Sequence, residues 1–125
     1  MNFPADRRYT PEGVWALLDG DQATIGISDF SQDAMGDLVY IELPVVGARI
    51  KQGDAIGPIE SVKTCVEPDA PLSGKVESRN DAASADPEIV NRSPYQEGWL
   101  FRLSVADASE MGALLSADDY RRKVE

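Results

Sequence analysis

Residues 53–74 read GDAIGPIESVKTCVEPDAPLSG, and the punctuation of this stretch decides how the chain folds. Two apolar, β-compatible runs, Ala55 to Val62 and Thr64 to Val66, flank Lys63, and glycine or proline closes each on its outer side. The pattern predicts a β-hairpin. Gly53 lies ten residues before Lys63 and Gly74 eleven after it, which places the lysine near the hairpin tip. A lysine at a tip is ordinarily a solvated charge.

Upstream, Val14–Leu18 and Ala23–Ile27 are β-rich runs joined by Asp19-Gly-Asp-Gln22, which predicts an opening hairpin. Ser28 or Asp29 can cap a short helix that runs to Met35 and stops at Gly36. Asp37–Leu43 reads as a strand ended by Pro44, with Val39, Ile41 and Leu43 alternating against Leu38, Tyr40 and Glu42.

Downstream, Lys75–Arg79 reads as a strand and residues 80–85 as a polar loop. Asp86 before Pro87 predicts a helix over Glu88–Asn91, and Trp99–Leu103 the last strong strand. Asp107 and Glu110 have capping-box spacing ahead of Met111, Leu114 and Leu115, and Ser116 or Ala117 begins a final amphipathic helix. Many short strands with glycine punctuation predict a mainly β sandwich or flattened barrel with short peripheral helices and a C-terminal helix. Trp15, Tyr40, Trp99 and Phe101, all on strand-like runs, read as core aromatics.

A chain of 125 residues fits one domain, residues 1–125, with a real core. The net charge of −10, from 22 acidic against 12 basic residues, would repel a phosphate backbone, so no nucleic-acid partner is expected. Basic docking faces on partner proteins suit it better. No apolar run is long enough for a membrane span and residues 1–10 lack a signal-like core, so a cytoplasmic location is expected. One cysteine, Cys65, excludes an internal disulfide, and the absence of histidine removes Ser-His and Cys-His pairs and most zinc sites.

The segments Gly47-Ala-Arg-Ile-Lys-Gln-Gly53-Asp54 and Ala70-Pro-Leu-Ser-Gly74-Lys-Val76 are similar to the turns that bracket the modified lysine of swinging-arm carriers, and Glu60-Ser61-Val62-Lys63 resembles the lipoyl-attachment motif of the glycine cleavage system H-protein family. Biotin carriers have methionines beside the lysine, where Val62 and Thr64 stand here. Thr24–Asp29, Gly36–Pro44, Pro87–Asn91 and Ser93–Leu100 also resemble blocks of that family, in its order.

The resemblance implies a barrel-sandwich hybrid, no catalytic activity of its own, lipoate attached to Lys63, and Glu60 as a contact of the lipoate-attaching enzyme. Its alternative is an exposed strand charge. Cys65, two residues from Lys63, would share a face with it on a strand and could exchange with a nearby disulfide; the simpler reading is a half-buried apolar residue.

The chain also departs from the family. Gly13-Val14 stands where a His-Glu pair commonly precedes the first tryptophan, Ala34 replaces a histidine found in some members, and Thr64-Cys65-Val66-Glu67 follows the lysine in place of small residues and Asp. These departures read as loss of a clamp for a cationic load and favour the lipoate-binding proteins of sulfur oxidation, whose partner is a heterodisulfide-reductase-like complex. The alternative is glycine cleavage, with glycine decarboxylase and aminomethyltransferase as partners; dihydrolipoyl dehydrogenase is an expected partner in either case. Two further readings are an enzyme using Glu60 and Glu67, and a scaffold that is never lipoylated.

Overall fold

The computed structural model describes residues 1–125. Strands β1 (Arg8–Tyr9), β2 (Val14–Asp19) and β3 (Gln22–Ile27) open it as an antiparallel meander. The β2–β3 reversal uses only Gly20 and Asp21, with Gly20 at φ +64°. A positive φ at the first of two central residues matches the strands' twist, so glycine serves there. β1 carries no pattern of its own; it is held by β2 and by a bridge from Tyr9 to Leu115.

Helix α1 (Asp29–Met35) starts where the Ser28 hydroxyl accepts the Ser31 N–H and ends at Gly36, φ +80°. Strand β4 (Leu38–Ile41) is shorter than expected and carries a bulge between Leu38 and Tyr40. The bulge breaks strict alternation, so Leu38 and Ile41 both turn inward while Val39 and Tyr40 face out. Tyr40, expected in the core, is 44% exposed.

β5 (Arg49–Ile50), β6 (Ile59–Ser61), β7 (Cys65–Val66), β8 (Gly74–Arg79) and β9 (Phe101–Val105) complete the strands. β9 begins two residues later than expected, and Trp99 is half-buried with the Arg102 guanidinium 4.0 Å from its ring centroid. Residues 81–85, expected as loop, form helix α2 (Asp81–Ala85), an alanine-rich turn that buries Ala83. Helix α3 (Glu88–Arg92) follows Pro87, whose dihedrals are already helical. The segment after Asp107 is a 3₁₀ helix (Ala108–Ala113), not an amphipathic α-helix. Glu110 does not close a capping box: its carboxylate accepts the Ser73 N–H at 2.7 Å and the Ser73 hydroxyl at 2.8 Å, tying this helix to the approach to β8. Helix α4 (Ala117–Val124) is capped by Ser116.

All pairings are antiparallel, in a six-stranded sheet of order β1-β2-β3-β9-β8-β5 and a three-stranded sheet β4-β6-β7. Val14, Ala16, Ile25, Val76, Phe101 and Leu103 of the larger sheet share one core with Leu38, Ile41 and Ile59 of the smaller. The result is the expected mainly β sandwich, with two open sheets and no closed barrel. Trp15, between Val14 and Ala16, points to the opposite face, where it clusters with Tyr9, Ala117 and Tyr120. It crosses Gly26 on β3, where any Cβ would collide with the indole. No helix is long and apolar enough to cross a membrane.

Candidate functional site

The Lys63 hairpin forms as read, but its ladder is brief. Ile59 pairs with Val66 and Glu60 with Cys65, and beyond a kink at Gly57-Pro58 the arms meet again at Ala55 and Asp69. The turn is Ser61–Thr64, closed by the Ser61 N–H to the Thr64 carbonyl at 2.8 Å. The Ser61 hydroxyl oxygen accepts the Thr64 N–H at 3.1 Å and the Lys63 N–H at 3.3 Å. Ser61 therefore shapes the turn, as short hydroxyl side chains do. The Val62 N–H donates to the Asp37 carbonyl at 3.0 Å and ties the tip to the start of β4, leaving the Val62 side chain 68% exposed.

Lys63 is exposed and takes part in none of the ion pairs. Its stem lies over Gly36, where a Cβ would stand 3.4 Å from Lys63 Cε. An accessible primary amine on a fixed turn, committed to no carboxylate, fits covalent attachment of an acyl group.

Glu60 is half-buried in a row across the small sheet, with Tyr40 on one side and Cys65 on the other. The Tyr40 phenol donates to Glu42 at 3.1 Å, and that bond, with the Glu42 and Glu60 charges, raises its pKa. Cys65 is a free, exposed thiol, not half-buried. Lys63 sits in the turn rather than on β7, so the strand rule does not place the two side chains on one face.

Beside the Gly36 end of α1 opens a cleft of about 260 Å³. Val14, Ile27, Phe30 and Met35 form an apolar wall and Val66 faces them, while the exposed Glu12 and Glu67 stand at the rim. Sequence reading misses Glu12 altogether and sees Glu67 only as a departure. The two lie far apart along the chain and meet only across this cleft. The departure at position 13 has a local cause: Gly13 is at φ +94°, and a Cβ there would fall on the Ser31 hydroxyl and 2.6 Å from the Tyr120 hydroxyl. That space belongs to a chain in which Tyr120 and Ser28 hydroxyls meet at 2.7 Å, Ser28 bonds Ser31 at 3.2 Å, and Ser31 donates to the Glu12 carbonyl at 3.1 Å.

The glycine cleavage H-protein family model matches residues 7–125. The chain belongs to that family. A glycine cleavage system H protein of Thermus thermophilus is 45% identical over 125 residues, spanning all of this chain and 98% of that protein. One of Alcanivorax borkumensis is 45% identical over 123 residues, covering 98% and 96% of the two chains. The crystal structure of a glycine cleavage system H protein from Mycobacterium marinum superposes with a TM-score of 0.89 at 35% identity, covering 96% of this chain and 97% of that one. Family membership makes the chain a lipoyl carrier rather than a catalyst.

Proposed function

We propose that this chain carries lipoate as an amide on Lys63 Nζ and serves glycine cleavage, holding an aminomethyl group between glycine decarboxylase and aminomethyltransferase. When bound, the dithiolane supplies the group-accepting and redox chemistry. The chain's own part is placement. Ser61 and the Asp37 carbonyl fix the turn, Gly36 leaves a lane for the arm's stem, and the cleft offers an apolar-walled seat beside it.

The observation that carries the pathway is the pair of carboxylates at the cleft rim. An aminomethyl amine is cationic at neutral pH, whereas a sulfur-bound load needs no carboxylate. At exposed positions each of Glu12 and Glu67 would contribute on the order of 1 kcal/mol to seating the cation. On this reading the departures at Gly13, Val14 and Ala34 do not favour sulfur oxidation, since Glu12 and Glu67 would supply the carboxylates from other positions. The relatives, named for glycine cleavage, point the same way and lend no support to a heterodisulfide-reductase-like partner. A lipoate-attaching enzyme and dihydrolipoyl dehydrogenase complete the set of partners for a cytoplasmic carrier built as one domain over residues 1–125.

The test is intact-mass analysis of the lipoylated protein after incubation with glycine decarboxylase, pyridoxal phosphate and glycine. One aminomethyl group on wild type and none on Lys63→Arg is the expected result. Lipoylated wild type that stays unloaded would refute the pathway.

A further inference from the structure

Asn91 lies on α3, remote in sequence from the lysine turn, yet its side chain makes three hydrogen bonds to α1 and the segment that anchors the turn. Its Nδ2 donates to the Gly36 carbonyl at 3.0 Å and to Gln32 Oε1 at 2.9 Å, and its Oδ1 accepts the Leu38 N–H at 2.9 Å. Gly36 and Leu38 flank Asp37, whose carbonyl receives the Val62 N–H at 3.0 Å. Gly36 is also the residue over which the Lys63 stem lies. One carboxamide therefore grips both neighbours of the residue that fastens the lysine turn to the body of the protein.

The first arm of the hairpin, β6, is laddered on β4, with Ile59, Glu60 and Ser61 opposite Ile41, Tyr40 and Leu38. The hairpin's ladder at the tip joins strands of three and two residues, and its far edge, β7, has no strand neighbour. Beyond the β4–β6 ladder, the Val62–Asp37 bond ties the tip to the body of the protein, and Asp37 lies in the Gly36–Leu38 segment that Asn91 holds.

We propose that Asn91 is a positioning residue for the carrier lysine, holding Gly36–Leu38 so that Lys63 is presented in one orientation to the enzymes that attach and load the arm. The proposal rests on Lys63 being the carrier site. Only an amide suits the position, since it has both a donor for the Gly36 and Gln32 oxygens and an acceptor for the Leu38 N–H. Aspartate keeps the acceptor, loses both donors and sets a carboxylate against the Gly36 carbonyl.

The test compares wild type, Asn91→Ala and Asn91→Asp with Asn80→Ala. Asn80 is a matched control, because its Nδ2 bridges the Glu97 and Trp99 carbonyls at 2.8 and 2.7 Å and none of its bonds touches the lysine hairpin. Amide hydrogen exchange at Val62 is measured on each apo-protein, with the thermal midpoint and the kcat/KM of lipoylation by a lipoate–protein ligase at saturating lipoate and ATP. Both Asn91 variants are expected to exchange the Val62 amide about tenfold faster and to lose about tenfold in kcat/KM. Asn80→Ala, at a comparable loss of thermal midpoint, should leave both near wild type. Equal Val62 exchange and equal lipoylation in the Asn91 and Asn80 variants would overturn the proposal. If Asn91→Ala does not fold, Asn91→Asp, which keeps the Leu38 bond, decides by the same two readouts. Wild type that is never lipoylated would count against the carrier reading, while Val62 exchange would still decide the role of Asn91.

Discussion

Replacing both rim carboxylates, Glu12→Gln with Glu67→Gln, should release the loaded arm from its cleft without disturbing the fold. Both side chains are exposed and neither takes part in an ion pair, so the substitutions remove charge and little else. At about 1 kcal/mol for each carboxylate the pair contributes about 2 kcal/mol, which lowers the ratio of docked to free arm about thirtyfold. Met35 lines the cleft and is 6% exposed, so its methyl resonance in the lipoylated, aminomethyl-loaded protein reports the docked fraction. The wild-type resonance should move toward its unloaded position as salt rises from about 0.1 M to about 1 M, because the screening length shrinks from about 10 Å to about 3 Å. The double variant should sit near that position at all salt concentrations. A Met35 resonance that is the same in both proteins and indifferent to salt would show that the carboxylates do not hold the load.

Gly26→Ala drives a methyl group into the Trp15 indole within a close-packed cluster and should cost about 3 kcal/mol, read as a lower denaturant midpoint and altered tryptophan fluorescence. Stability should also fall as pH rises above about 10. Burial holds the Tyr9 phenol far above its ordinary pKa, so in that range the unfolded chain ionises while the folded one does not. Tyr9→Phe should flatten this alkaline limb; an unchanged limb would assign it to other groups.

The features legible in the sequence were those with local chemistry. The β2–β3 reversal at Gly20, the Ser28 and Gly36 caps of α1 and the Lys63 hairpin all depend on residues within a few positions of one another, and all formed as read. Apart from α2, a short alanine-rich turn, what escaped depended on distant partners. Nothing near Glu110 says that its carboxylate will find Ser73, and nothing near Tyr40 announces the bulge that turns it outward. The site divides the same way. Lys63, Ser61 and Val62 are written in one motif, whereas Glu12 meets the cleft and Asn91 meets Gly36 only through tertiary packing. The departure at position 13 divides the same way, since a Cβ at Gly13 would fall on the Ser31 hydroxyl of α1 and close to the Tyr120 hydroxyl of α4, groups that only tertiary packing brings there.

One amine, the Nζ of Lys63, is proposed as the attachment point of the arm. Peptide-level mass spectrometry of the protein coexpressed with a lipoate-attaching enzyme tests it most directly. A single lipoyl group is expected, on the peptide containing Lys63 and absent from Lys63→Arg; a lipoyl group on Lys51, Lys75 or Lys123, or none on any lysine, would contradict the assignment.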